Sequence, residues 1–162
     1  MWGGLFATGS YMNHQSHRNF WTASWELISR FTWQLPQTMI GHGYAQFSGY
    51  AGQVDNVDYW GGATVMSGNN WGQKAVTLSS FIIGDRTISA DPNNSVFQHE
   101  YGHYLQSQSM GWGYLSRIGI PSLMSADGSG EHKYQPHEQD ANARAFLYFN
   151  RHVSGFYQTE AQ

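Results

Sequence analysis

His99, Glu100 and His103 occur as His99-Glu100-Tyr101-Gly102-His103, an H-E-x-x-H pattern whose spacing has chemical meaning on a helix. Successive helical residues rotate by about 100°, so His99 and His103 lie about 40° apart and one turn along the same face. Two imidazoles so placed can reach one zinc ion at about 2.0–2.1 Å. Glu100 is offset around the helix and need not bind the metal. It can instead take a proton from a water whose pKa zinc lowers towards ~7, and hand that proton to a leaving amine. Lysine could not ligate as neutral histidine does, and glutamine at position 100 could not accept the proton. The pattern predicts Zn2+ as cofactor and Glu100 as general base.

A catalytic zinc keeps three protein ligands and one position for water. The chain contains no cysteine, so thiolate ligands are excluded. No histidine follows His103 before Gly113, so the third ligand must come from farther along. His132, His137, Glu138, Asp140 and His152 are the candidates, and Glu138 is the best placed of them. It opens a helix after Pro136, a residue suited to a first helical turn. Asn142 lies four residues on and shares its face. Asn142 could therefore hold a ligating histidine through its other ring nitrogen. Ala141, beside them, permits close approach to the motif helix. Glu138 and Asp140 would also complement the helix N-terminus without any metal. Stabilisation of a developing oxyanion needs a further donor. Tyr134, Tyr148 and His132 are candidates for it, with Arg144 and His152 as alternatives.

These residues need elements to hold them. Phe20, Ala23, Leu27, Ile28 and Phe31 follow helical spacing from Asn19, and Leu35-Pro36 ends or kinks that helix. A second helical piece spans about Pro36 to Phe47, and residues 48–61 read as loop. Ala63 to Met66 and Lys74 to Ile83 read as two strands of a hairpin, with turn chemistry at Gly68-Asn69-Asn70. The second strand precedes the motif helix and would suit strand addition by an extended substrate. Asp91 to Asn94 supplies a turn and cap for a helix over Ser95 to Met110, closed by Gly111. Gly102 inside that helix costs about 1 kcal/mol relative to alanine, so it marks packing or a close approach by another backbone or a substrate. Gly119-Ile120-Pro121-Ser122 breaks two apolar stretches, a polar loop covers about Ala126 to Gln135, and a last helix runs from Pro136 to about His152. The sum is an α+β fold: a small antiparallel sheet, a motif helix and a C-terminal ligand-bearing helix. Residues 1–18 read as a loop-rich N-terminal segment, 19–155 as a single domain and 156–162 as a tail.

Length and composition set the outer bounds. The 162 residues suit one domain with its own core. Only 12% are charged and the net charge is −3, with no basic stripe, which argues against nucleic acid as partner. Aromatics reach 16% with 19 glycines, unlike a disordered chain. The seven tryptophans divide between core and surface. No run of ~18 apolar residues is long enough to span a bilayer. The start, Met1 to Phe6, lacks a basic n-region, so it does not read as a signal peptide and looks instead like a boundary within a larger polypeptide.

The motif pair, H-E-x-G-H with a later E-x-x-A-N at Glu138 to Asn142, resembles the gluzincin metallopeptidases. Phe31 to Thr38, Asp58 to Thr64 and Gly119 to Ser122 extend the likeness to uncharacterised zincin-like modules, some at the C-termini of bacterial RHS-repeat chains of the polymorphic-toxin type. The likeness covers about residues 20–152. It implies a zincin-like fold, Glu138 as third zinc ligand, a peptide or protein substrate, and a secreted or cell-surface setting. Asn142 departs from the aspartate common in gluzincins. The alternative expectation is a zinc-binding module that is not a peptidase and acts on another amide, in adhesion or in toxin delivery.

Overall fold

The computed structural model describes residues 19–68, 75–125 and 132–156. The expected N-terminal loop, the Gly68-Asn69-Asn70 turn beyond Gly68 and most of the polar loop lie outside the described residues. Among the described residues five α-helices accompany four strands: α1 (Phe20–Arg30), α2 (Leu35–Tyr50), β1 (Val54–Trp60), β2 (Ala63–Gly68), β3 (Ala75–Leu78), β4 (Phe81–Asp85), α3 (Ser95–Met110), α4 (Ile120–Ser125) and α5 (Pro136–His152). The α+β class is as expected. Among the described residues no helix is long and apolar enough to cross a membrane.

Local chemistry starts the helices where the sequence places them. Asn19 and Thr22 form a reciprocal capping box on α1. Pro36 sits in the first turn of α2, so it opens the second helix rather than kinking the first. The Asn94 side chain accepts from Phe97 N at 2.9 Å and caps α3. Gly111, at φ +53°, closes it.

The sheet departs from expectation in three ways. First, Val54–Trp60 is a strand, not loop. Its Asp55, Asn56 and Asp58 mask the pattern because β1 is an edge strand with much of one face in water. It pairs with β2 through Gly61-Gly62, both at positive φ, the conformation that a tight two-residue hairpin requires. Second, the stretch read as one strand over 74–83 breaks at Ser79-Ser80 into β3 and β4, with Ser79 at φ +58°. The Ser79 hydroxyl is engaged by Thr38, which offsets the unusual backbone. Third, β2 pairs with β4, in parallel, and not with β3 as a hairpin would. The order β1-β2-β4-β3 therefore makes a mixed sheet, not an antiparallel one.

One face of the sheet carries α3 and α5. Trp60, Val65, Ile82, Phe97, Tyr101, Tyr104 and Phe149 form the main core there, with Trp60 5.1 Å from Phe149 and 5.2 Å from Tyr101 between ring centroids. Phe156, at the head of the expected tail, stacks on Phe149 and belongs to this core. Met66, Phe81 and Ile83 face the other way, towards Ala45 of α2. Helix α3 is thus enclosed on most sides: Phe97, Gln98, Glu100 to Tyr104, Gln106 and Ser107 are all buried. Gly102 makes this possible. A Cβ there would lie 2.1 Å from the Ala141 carbonyl oxygen, so the close approach expected at Gly102 is that of the α5 backbone.

Gly119 to Ser122 does not break the chain into separate stretches. A π-helical turn over Leu115–Gly119 runs directly into α4, which carries Ser122 back towards the first turn of α5.

Candidate metal centre

Helix α5 runs antiparallel to α3 across the Gly102–Ala141 contact, which sets Glu138 against His103 and Asn142 against His99. Glu138 is fully buried. Its Oε2 lies 3.0 Å from His99 Nε2 and 3.0 Å from His103 Nε2. Ligand atoms of these three residues lie within 4.8 Å of one another. Two ligands of a tetrahedral zinc are separated by roughly 3.3–3.4 Å, so each imidazole nitrogen stands a few tenths of an ångström from ligand spacing relative to Glu138 Oε2.

The far side of each imidazole decides what the near side presents. His99 Nδ1 lies 2.9 Å from Asn142 Oδ1. His103 Nδ1 lies 2.8 Å from Gln106 Oε1. The Gln106 amide cannot be turned round, because its Nε2 already donates to the His137 carbonyl and to Asp140 Oδ2, both at 2.8 Å. His103 must therefore carry its proton on Nδ1, which leaves a bare lone pair on Nε2 when the ring is neutral. That lone pair faces a carboxylate oxygen. Two acceptors at 3.0 Å repel unless a proton or a metal ion lies between them. The donor set of two imidazoles and one carboxylate suits a borderline divalent ion.

Charge at the cluster is consistent with this. Burial pulls the His99 imidazole down, but the Glu138 hydrogen bond, the Glu100 charge and Asn142 outweigh it and push its pKa up to about 9. Burial opposes ionisation of Glu138, yet His103 and His99, with the Ser122 hydroxyl, hold its carboxyl well below the usual carboxylate range.

Glu100 points off the His99–His103 face, as the spacing predicts. The Thr77 hydroxyl of edge strand β3 donates to its Oε2 at 2.7 Å and lies 3.0 Å from its backbone oxygen. The Tyr114 hydroxyl donates to the Thr77 carbonyl at 3.0 Å. Burial and the charges of Glu100 and Glu138 raise the Tyr114 phenol well above its ordinary value, so it stays protonated.

The other expected residues divide. His132 Nε2 lies 3.5 Å and His137 Nε2 3.2 Å from Glu138 Oε1, so both belong to the cluster. Asp140 does not point at it; it bonds Gln106 and Arg144. Arg144 is turned to Asp140 and Ser109. Tyr134 is largely exposed beneath Lys133. Tyr148 packs against Trp60, Tyr101 and His152 in the aromatic core, more than two helical turns along α5 from Glu138.

Gln106, Thr77, Tyr114 and Ser122 escaped the sequence reading. Gln106 carried a usable signal, since it lies three residues from His103 on a helix. Thr77 and Tyr114 carried none, because their separation from Glu100 along the chain is bridged only by tertiary packing.

No protein-family model matches the chain, and comparison with curated proteins and with solved structures returns no match.

Proposed function

We propose that this chain is a zinc-dependent peptidase. The reading is carried by one observation: two imidazoles, each with Nδ1 against a side-chain amide oxygen, aim Nε2 at the same buried carboxylate oxygen. His99, His103 and Glu138 would hold the zinc. Bound there, zinc supplies the Lewis acidity that brings a water's pKa towards ~7 and polarises a carbonyl. The remaining steps belong to the chain's own residues. Glu100 takes the water's proton during attack on the peptide carbon and passes it to the departing amine. Thr77 holds one Glu100 oxygen, leaving the other for the proton. Asn142 and Gln106 keep both ligating rings in the tautomer that frees Nε2. Edge strand β3 offers a rim along which an extended peptide can add as a further strand.

The test is an unbiased peptide-library digest by the zinc-loaded chain and by Glu100→Gln. Cleavage by the parent and none by the variant, at equal zinc content and folding, is the expected outcome. Equal cleavage by both would exclude Glu100 as base, and no cleavage of any peptide by the zinc-loaded parent would exclude a peptidase.

A further inference from the structure

The zinc ion proposed above would use one oxygen of Glu138. The other is also surrounded. Glu138 Oε1 lies 3.2 Å from His137 Nε2 and 3.5 Å from His132 Nε2. Neither Glu138 Oε1 nor His137 Nε2 makes a well-aligned hydrogen bond, though both are buried. A fully buried carboxylate oxygen and a buried ring nitrogen left without good partners are costly.

His132 Nδ1 lies 2.7 Å from the Ser125 hydroxyl oxygen, which holds the ring with Nε2 towards Glu138 Oε1. Four imidazoles therefore converge on one carboxylate, two on each oxygen, a density of ring nitrogens about one buried anion that suits cation binding.

We propose that His132, His137 and Glu138 Oε1 form a second cation site, with Glu138 bridging two ions. The proposal rests on Glu138 as a ligand of the first ion, as read above. Imidazole donors select borderline transition ions such as Zn2+ or Co2+ rather than Mg2+ or Ca2+. A carboxylate that gives one oxygen to each ion suits the spacing of about 3.5–4 Å found in two-metal hydrolytic sites. The second ion would take a polar group of the substrate, its own ligand set being only three protein atoms. His132 and His137 side chains retain 31% and 13% of their surface exposure, which leaves a path for ion and substrate.

The experiment is metal counting on the full chain. Chelator-stripped protein is titrated with Co2+, passed through gel filtration, and its metal measured by mass spectrometry, with circular dichroism as the check on folding. The parent should bind two ions. His137→Ala and His132→Ala, placed on different elements, should each weaken one ion by at least about a hundredfold, the upper end of what loss of an orienting neighbour costs, and leave the other's affinity unchanged. His103→Ala should weaken the opposite ion. One ion in the parent, indifferent to His132 and His137, would overturn the second site and leave the first intact. One ion weakened by all three substitutions would mean that the four imidazoles share a single centre, and the two-ion proposal would fall. No ion in the folded parent would overturn both sites.

Discussion

Gln34, packed against α3, and Gln106, within α3, are both fully buried glutamines, and both use their amides at either end. Gln34 accepts from the Ser107 hydroxyl at 2.8 Å and donates to Ser29 at 2.6 Å. Beside it Gln37 donates to the Gly111 carbonyl at 2.8 Å, and Thr38 reaches Ser79. Every partner in this cluster is a neutral hydroxyl or carbonyl. It ties the start of α2 and the β3–β4 turn to the C-terminal half of α3, and so sets the strand that carries Thr77 beside Glu100. Gln106, on another face of the same helix, instead holds one imidazole in a chosen tautomer. The contrast teaches that a buried amide takes its role from its partner. Against hydroxyls it is a cross-link; against an imidazole it decides which nitrogen is left to bind a cation.

Glu100 lies between the two clusters and offers the largest expected effect. Glu100→Gln should lower peptide turnover by about 10²–10⁴-fold, the range for loss of a general base, with zinc content and melting temperature unchanged. Steady-state kinetics beside metal analysis reads this, and a variant that loses zinc would show that Glu100 serves the metal and not the proton.

Gln106→Leu should next weaken zinc by roughly 10–100-fold, since the orienting partner of His103 is lost. Gln34→Leu should leave zinc affinity alone and cost about 1–3 kcal/mol of stability, because buried hydroxyls lose their partner. Competitive chelation and denaturant melts on both variants measure the crossover. Equal effects of the two on zinc would erase the distinction drawn here.

Gly102→Ala tests the contact that brings α5 to the motif helix. The helix-propensity gain of about 1 kcal/mol should be outweighed by overpacking against the Ala141 carbonyl, costing about 1–3 kcal/mol or more, with zinc affinity falling alongside stability. A more stable variant in urea unfolding would mean that the two backbones have room to separate.

The smallest effect is on pH. In the metal-free chain His99 is raised to about 9 from its ordinary 6.5, so its stabilising contribution is complete below about pH 6.5 and is lost as pH rises through 9. Glu138 is depressed, so its contribution is present above the ordinary glutamate value and lost as pH falls below it. Metal-free protein should thus lose melting temperature between pH 6.5 and 9, while zinc-loaded protein, with the cation in the proton's place, should lose less. Parallel pH profiles for the two forms would contradict a shared position for proton and metal.

The sequence by itself determined the chemistry-bearing helix. The Asn94 cap, the Gly111 stop and the histidine spacing are all local, and local hydrogen bonding and helical periodicity decide them. Pro136, Glu138 and Asn142 on the last helix were legible for the same reason. Strand β1 was not, because an edge strand with a wet face carries little apolar alternation. The parallel pairing of β2 with β4 was not either, since which strands pair depends on what each must cover, not on what each contains. Only the tertiary structure decided that Gln106, Thr77 and Ser125 would orient the site, and that His132 and His137 would share Glu138 with His99 and His103. Thr77 reaches Glu100 only because β3 packs beside α3, and His99 and His103 reach Glu138 only because α5 closes on Gly102; these are contacts between segments far apart in the chain.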